Sequence, residues 1–132
     1  MKSAVLDSFA VLAFLLEENG ADKVLALLEK AAAADETILI SAVNWTEVRY
    51  VVERKLGPDR WQIVKDTLMG LPIELVPVDR ELAELAGEIK ATKKMSLADT
   101  FAAALARHRK ADLYTGDPEF RSIEREVHVV WL

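Results

Sequence analysis

The chain of 132 residues contains no cysteine, which excludes disulfides, thiolate metal ligands and thiol nucleophiles. Long hydrophobic runs are also lacking. The longest apolar run, from Phe9 to Leu16, is well short of the roughly 20 residues that a membrane-spanning helix needs. The acidic residues Glu17 and Glu18 follow this run, where a signal peptide would carry small residues. We therefore expect a cytoplasmic protein.

Positive charge is scarce, because 17 Lys and Arg stand against 22 Asp and Glu and give a net charge of -5. This balance disfavours a uniformly basic surface for nucleic acid. The basic residues nevertheless cluster, which allows a local positive rim on an acidic protein; ordinary solvated helix ends explain the clusters equally well. The clusters are Arg54–Lys55, Lys90 with Lys93 and Lys94, and Arg107–Lys110.

Hydrophobic content of 52% is ample for one core, and short apolar runs alternate with stretches of helical period. The short runs predict strands at 3–6, 37–40, 73–76, 113–114 and 127–131. The intervening stretches predict helices at 8–18, 21–34, 42–55, 58–70, 79–93 and 96–109, with a short turn at 117–122. Because strands separated by helical crossovers pair in parallel, we expect a single α/β domain over residues 1–132.

Polar side chains follow four of the predicted strands, at the points where ligands bind to open α/β sheets. They are Asp7 and Ser8, then Ser41 with Asn44 and Glu47, then Asp79, and finally Thr115 with Asp117. Asp99, in the first turn of an alanine-rich helix, is expected to lie near the same strand ends. Tight packing of that helix on the sheet would bring it there.

Structural roles alone also explain some of these acids. Asp7 and Asp117 are suitable helix N-caps. Asp99 is three residues after Ser96, which has the form of a capping box. The four acids Asp7, Glu47, Asp99 and Asp117 nevertheless all fall at one end of a parallel sheet, which capping does not explain.

Glu47 lies within the apolar stripe of its predicted helix, so its carboxylate needs a partner. One alternative is an ion pair with Arg49 or Arg54, or a position at the helix edge. The other is a shared cation, since clustered carboxylates repel one another unless one is bound. Oxygen ligands in a cysteine-free chain favour Mg²⁺ or Mn²⁺, whose typical chemistry is attack of an activated water on a phosphodiester.

Four segments, "AVLDSFAVLAFL", "ISAVNWTEVRYVV", "MSLADTFAAALA" and "LYTGDPEF", resemble the signature segments of a PIN domain, and more narrowly those of VapC toxin ribonucleases. The resemblance implies three α/β/α layers with a mainly parallel five-stranded sheet of order 3-2-1-4-5. Matched position by position, it implies that Asp7, Glu47, Asp99 and Asp117 hold Mg²⁺ or Mn²⁺ and are catalytic. Supporting polar roles fall to Ser8, Asn44 and Thr115.

The same resemblance implies hydrolysis of RNA, with one of the acids, not identified, serving as general base. It also implies a homodimer and inhibition by a VapB-like antitoxin, whose C-terminal segment offers an arginine to the acidic site. An arginine against metal-free carboxylates is physically reasonable inhibition, because the guanidinium binds a carboxylate through two hydrogen bonds.

Other functions stay open at this point. A PIN-domain nuclease acting in RNA processing, outside a toxin system, would carry the same acids, and an inactive scaffold would not need all four. A receiver domain of phosphotransfer signalling has similar length and Mg²⁺ affinity. It requires an adjacent acid pair after the first strand and a lysine after the last, whereas Asp7 is single and no lysine follows Lys110.

Overall fold

The computed structural model describes all of residues 1–132. Each predicted strand and helix is present. In chain order they are β1 (Ala4–Leu6), α1 (Ser8–Leu15), α2 (Ala21–Ala33), β2 (Ile38–Ser41), α3 (Ala42–Leu56), α4 (Pro58–Met69), β3 (Ile73–Val76), α5 (Arg80–Thr92), α6 (Leu97–Arg109), β4 (Asp112–Thr115), a 3₁₀ helix (Pro118–Ile123) and β5 (Val129–Trp131).

The five strands form one sheet in the order β3-β2-β1-β4-β5, and all neighbours are parallel. The α/β class and the strand order expected from the sequence are thereby confirmed. Val5 of the central strand β1 pairs with Leu39 of β2 and with Leu113 of β4. The order reverses at β1, so the junctions after β1 and β4 lie side by side at the end of the sheet where the strands finish. We call that end the carboxyl edge, and the opposite end the amino edge.

Helices cover both faces of the sheet, and the two cores differ in composition. Large side chains of α1 to α4, including the fully buried Trp61, fill one face. On the other face α5 and α6 pack, and α6 contributes mostly alanine. The buried alanines of α6 are Ala102, Ala103, Ala104 and Ala106. Small side chains allow α6 to approach the sheet closely.

Local signals explain where the helices begin and end. The hydroxyl of Ser41 accepts a hydrogen bond from the Val43 amide at 3.2 Å and caps α3. Helix α1 ends at Leu15, earlier than the predicted residue 18, and Glu17 after it adopts the left-handed conformation with φ 54°. Strand β5 begins at Val129 because the Val127 amide bonds instead to the Ile123 carbonyl. None of the helices combines enough length with enough apolar character to cross a lipid bilayer.

Candidate active site

Asp7 lies in the junction between β1 and α1, at the carboxyl edge. Its Oδ1 accepts a hydrogen bond from the Ala10 amide at 2.8 Å, which caps α1. Its Oδ2 accepts a hydrogen bond from the Thr115 hydroxyl at the end of β4. The residue is 1% exposed. The capping role expected for Asp7 and its position at the sheet edge are therefore both present.

Thr115 connects Asp7 to the next acid along the edge. While its hydroxyl donates to Asp7, the same oxygen accepts a hydrogen bond from the Asp117 amide at 3.0 Å. The Asp117 carboxylate in turn accepts from the Glu119 amide at 2.9 Å and caps the 3₁₀ helix. Thr115 thus holds the loop that carries Asp117 directly against the end of β1.

Asp99 occupies the first turn of α6, but it completes only half of a capping box. Its amide donates to the Ser96 hydroxyl at 3.4 Å, as that motif requires. The reciprocal bond, from the Ser96 amide, goes to Glu119 Oε2 at 3.2 Å and not to Asp99. The Asp99 carboxylate is therefore not used as a capping group.

Asn44 links three helices below the site. Its Nδ2 donates to the Ser8 hydroxyl of α1 at 3.0 Å and to the Ala98 carbonyl of α6 at 3.2 Å. Its Oδ1 is buried and has no hydrogen-bond partner. A buried acceptor without a partner is costly, so this oxygen marks a place for a polar ligand.

Glu47 does not form the ion pair that was one of its predicted alternatives. Arg49 pairs with Glu53 at 3.3 Å, and Arg54 lies over the ring of Tyr50 at 4.9 Å from its centre. Glu47 instead accepts a hydrogen bond from the Tyr50 hydroxyl at 3.3 Å. Both arginines are exposed on α3, where nearer partners satisfy them, so the half-buried Glu47 has no cationic partner.

These side chains border one cleft of about 290 Å³. The polar groups that line it are Ser8, Glu47, Ser96, Asp99, Asp117 and Glu119. Carboxylate oxygens of Asp99, Asp117 and Glu119 all lie within 4.8 Å of one another. Asp7 does not line the cleft itself but is buried near it, beside Thr115. The structure thus brings Glu47, Asp99 and Asp117 to one opening and places Asp7 beneath it.

Burial and mutual repulsion disfavour charge on two of the acids. Burial raises the pKa of the Asp7 carboxyl to about 7, against its hydrogen bonds from Thr115 and Ala10, and the charges of Asp117 and Glu47 raise it further. Burial also raises the pKa of Asp99 to about 8, helped by its hydrogen bond to Glu119 and by the charge of Asp117. Both residues would release their protons more readily beside a cation.

The donor set fits a hard divalent cation. Every donor is an oxygen, and none of the five carboxylates forms a salt bridge. Asn44, whose Oδ1 has no hydrogen-bond partner, contacts Ser8 and the turn that precedes Asp99. Mg²⁺ and Mn²⁺ favour such carboxylate and carbonyl oxygens. A bound cation would offset the repulsion that raises the two pKa values.

Glu119 was missed by the sequence reasoning, although it lies two residues after Asp117. It is exposed at the start of the 3₁₀ helix, so nothing in an apolar pattern distinguishes it from a surface glutamate. Only the structure shows that Glu119 lies beside Ser96 and Asp99, which precede it by 23 and 20 positions in the sequence. The signal available in the sequence was a second acid two residues after the predicted Asp117 cap.

The predicted basic rim is partly engaged in local contacts. Lys90 donates to the Met95 carbonyl, and Lys93 pairs with Glu126 at 3.7 Å. Arg107 to Lys110 fall at the far end of α6, roughly 12 Å or more along the helix from Asp99. Of the basic clusters on α5 and α6, the one at residues 90–94 is therefore nearer to the cleft.

Comparison with known proteins identifies the family. A sequence model described as PIN domain matches residues 4–126. A search of curated proteins gives no match.

Solved structures share the fold at low identity. A chain of the DNA-bound VapBC complex from Salmonella typhimurium is 20% identical, with TM-score 0.75 and 98% of each chain covered. FitAcB from Neisseria gonorrhoeae is 22% identical, with TM-score 0.68 over 96% of this chain and 95% of that one. Mycobacterium tuberculosis VapC20, described as a sarcin-ricin loop cleaving toxin, is 15% identical, with TM-score 0.68 over 91% and 94%. The sequence match, the sheet order and the cleft agree: the chain belongs to the PIN-domain family.

Proposed function

We propose that this protein is a Mg²⁺- or Mn²⁺-dependent endoribonuclease and the toxin of a VapBC-type toxin-antitoxin pair. The observation that carries the proposal is the gathering of Asp7, Glu47, Asp99 and Asp117 at the carboxyl edge, around one cleft and with no cationic side chain paired to any of them. Such a site suits a metal and a phosphodiester better than an organic ligand.

The residues divide into two groups by their position. Asp99, Asp117 and Glu47 line the cleft and would hold the cation directly. Asp7 is buried and would contribute its charge and one further oxygen, while Thr115 keeps it beside the Asp117 loop. The bound cation would activate water and stabilise charge on a phosphodiester. Ser8 and Asn44 would orient α1 and α6 around the acids.

The toxin role is supported by the neighbours in structure. The chains of similar fold come from VapBC and FitAB assemblies, and one of them is described as cleaving the sarcin-ricin loop. By analogy we propose RNA as substrate, a homodimer as the active form, and a VapB-like antitoxin as inhibitor. An arginine from the antitoxin would bind the acids when no cation is present.

Cleavage of a mixed pool of single-stranded and structured RNA tests the nuclease proposal. We expect cuts only with Mg²⁺ or Mn²⁺, and loss of cutting by about 100-fold or more in Asp7→Asn and Asp99→Asn, because loss of even an indirect partner of a metal ligand costs 10–100-fold. Asp66→Asn, an exposed substitution on α4, serves as the control. Cleavage that persists in both variants, or that needs no metal, would disprove the proposal.

A separate experiment tests the toxin role. The products of small genes adjacent to this one are co-expressed with the protein, purified together and added to the cleavage reaction. A toxin requires one of them to co-purify and to inhibit cleavage. If none does so while metal-dependent cleavage is intact, the protein acts in RNA processing instead.

A further inference from the structure

We infer that Glu119 is a positioning residue of this site: it takes over the capping of α6 from Asp99, so that the Asp99 carboxylate faces the cleft beside Glu119 and Asp117. Where RNA cleavage is measured, this inference rests on the proposed nuclease function. The measurements of metal affinity and of hydrogen exchange do not depend on that function.

The contact that supports the inference joins two separate elements. Glu119 Oε2, at the start of the 3₁₀ helix, accepts the hydrogen bond of the Ser96 amide at 3.2 Å. Ser96 is the N-cap of α6, so this amide is the one that a capping-box acid three residues later would normally bind. Asp99 occupies that later position but does not make the bond.

Among side chains, two acids compete for the exposed Ser96 amide, and which of them accepts its hydrogen bond decides where the Asp99 carboxylate lies. Without Glu119, the nearest acceptor able to satisfy the Ser96 amide in standard helix geometry is the Asp99 carboxylate itself. Turning toward Ser96 would withdraw that carboxylate from Asp117, with which it shares the cleft. Glu119 therefore decides between a capping role and a ligand role for Asp99.

A second contact holds the same turn from the opposite side. Asn44 Nδ2 donates to the Ala98 carbonyl, one residue before Asp99, at 3.2 Å. Asp99 is thus held between a contact from α3 and a contact from the 3₁₀ helix. The free Oδ1 of Asn44 leaves a neutral acceptor buried beside this turn. The first turn of α6 is positioned by other elements and not by its own side chains alone.

Contacts of Glu119 also connect Asp117 to helix α6. The Glu119 amide donates to the Asp117 carboxylate at 2.9 Å, while the Glu119 side chain reaches Ser96. One residue therefore ties Asp117 to the N-terminus of α6. This sets the separation of Asp99 and Asp117, whose oxygens lie within 4.8 Å of each other and of Glu119.

Two substitutions at Glu119 distinguish positioning from a role of its charge. Glutamine keeps an oxygen that accepts the Ser96 amide but removes the charge, whereas alanine removes both. We expect Mn²⁺ affinity, measured by calorimetry on metal-free protein, to stay within about 3-fold of wild type in Glu119→Gln and to fall about 10-fold in Glu119→Ala. Hydrogen exchange at the Ser96 amide should be slow in wild type and Glu119→Gln and fast in Glu119→Ala. Glu84→Gln, exposed on α5, controls for the loss of one charge.

The outcomes that overturn the inference are specific. An equal loss of Mn²⁺ affinity in Glu119→Gln and Glu119→Ala would show that Glu119 acts by its charge. Unchanged affinity and unchanged Ser96 exchange in Glu119→Ala would show that it does not position the turn. If the exchange and affinity pattern holds but wild type cleaves no RNA, only the proposed function fails. If wild type cleaves RNA and Glu119→Ala matches it in Mn²⁺ affinity, in Ser96 exchange and in RNA cleavage, only this inference fails.

Discussion

The pKa values of the acids at the two ends of the sheet are shifted in opposite directions. At the amino edge, Asp112 begins β4 and contacts Lys2 at 3.0 Å and His128 at 2.9 Å. Burial works to raise the pKa of Asp112, but the hydrogen bonds from Lys2 and His128 outweigh it and hold that pKa below its usual value. At the carboxyl edge, Asp7 and Asp99 have no such partner and their pKa values rise.

This difference separates an acid that stabilises the fold from the acids for which we propose a function. An acid paired with cations of its own chain favours the folded state when it is ionised. Acids gathered without cations disfavour the folded state when ionised, and the structure tolerates them only where something else supplies positive charge. The protein therefore carries acids without cationic partners at one edge only, and we expect changes at the two edges to have different consequences.

The largest expected effect comes from removing one charge at each edge. Asp117→Asn should lower metal-dependent RNA cleavage by about 100-fold or more, since a direct ligand should matter more than an indirect partner. Asp112→Asn removes a carboxylate from the amino edge and should leave the cleavage rate within about 2-fold of wild type at a temperature where both variants are folded, because Asp112 touches no group of the cleft. Equal losses of cleavage in the two variants would show that the acids of the two edges do not differ in their importance for cleavage.

The dependence of stability on pH should reveal the same contrast. In metal-free protein, the free energy of unfolding should fall as the pH rises from about 4 to about 8, because in that window the unfolded state has released the protons that folded Asp7 and Asp99 still hold. Urea titrations in chelator at several pH values measure it.

Metal should reverse this fall. Addition of Mn²⁺ should raise the free energy of unfolding much more at pH 8 than at pH 5, since protons compete with the cation at the lower pH. Asp99→Asn should flatten the profile, and Asp112→Asn should leave its slope above pH 5 unchanged. A metal-free protein whose stability rises between pH 5 and pH 8 would contradict the assignment of the acids.

A smaller effect is expected at Gly116, which lies between Thr115 and Asp117 under the ring of Phe9. A Cβ at this position would lie 2.3 Å from the Phe9 Cε1, so Gly116→Ala must displace the ring at the border of the cleft. The ring is 43% exposed and can move, so we expect less than about 1 kcal/mol of lost stability. Cleavage should fall about 10-fold, because small displacements of catalytic groups are costly.

Gly87→Ala is the matched control, since nothing lies within 4 Å of a Cβ built there on α5. It should stabilise the protein by up to about 1 kcal/mol, the usual helix preference for alanine, without changing cleavage. The displacement model for Gly116 fails if Gly116→Ala cleaves RNA as fast as Gly87→Ala.

The order of the elements was predictable because local rules agree with the fold. Short apolar runs alternate with helical periods, and Ser41, Asp79 and Ser96 cap the helices as their residue types predict. The gathering of the acids followed from the parallel arrangement and, for Asp99, from the expected close packing of an alanine-rich helix. Strand ends were off by up to two residues, because β5 begins only after the chain has bonded back to Ile123.

Details of the site depended on contacts between distant segments. The partner of Glu47 was not predictable, since two arginines are on the same helix. In the structure Arg49 pairs with Glu53 and Arg54 lies over the ring of Tyr50. The capping of Ser96 by Glu119 joins residues 23 positions apart, and capping rules describe only neighbours. Capping and a position at the carboxyl edge are compatible in Asp7 and Asp117, each of which has one carboxylate oxygen on a backbone amide.

At the carboxyl edge, the junctions after β1 and β2 contain almost no spare residues: Asp7 alone separates β1 from α1, and α3 begins directly after β2. The amino edge is different, with the exposed residues 34–37 joining α2 to β2 and residues 124–128 leading into β5. For protein engineering this means that the two edges should differ in their tolerance of insertions. A reporter peptide or a fusion partner belongs in the segment 34–37, where added length leaves the acids in register, whereas a single inserted residue at the other end would shift an acid out of the cleft.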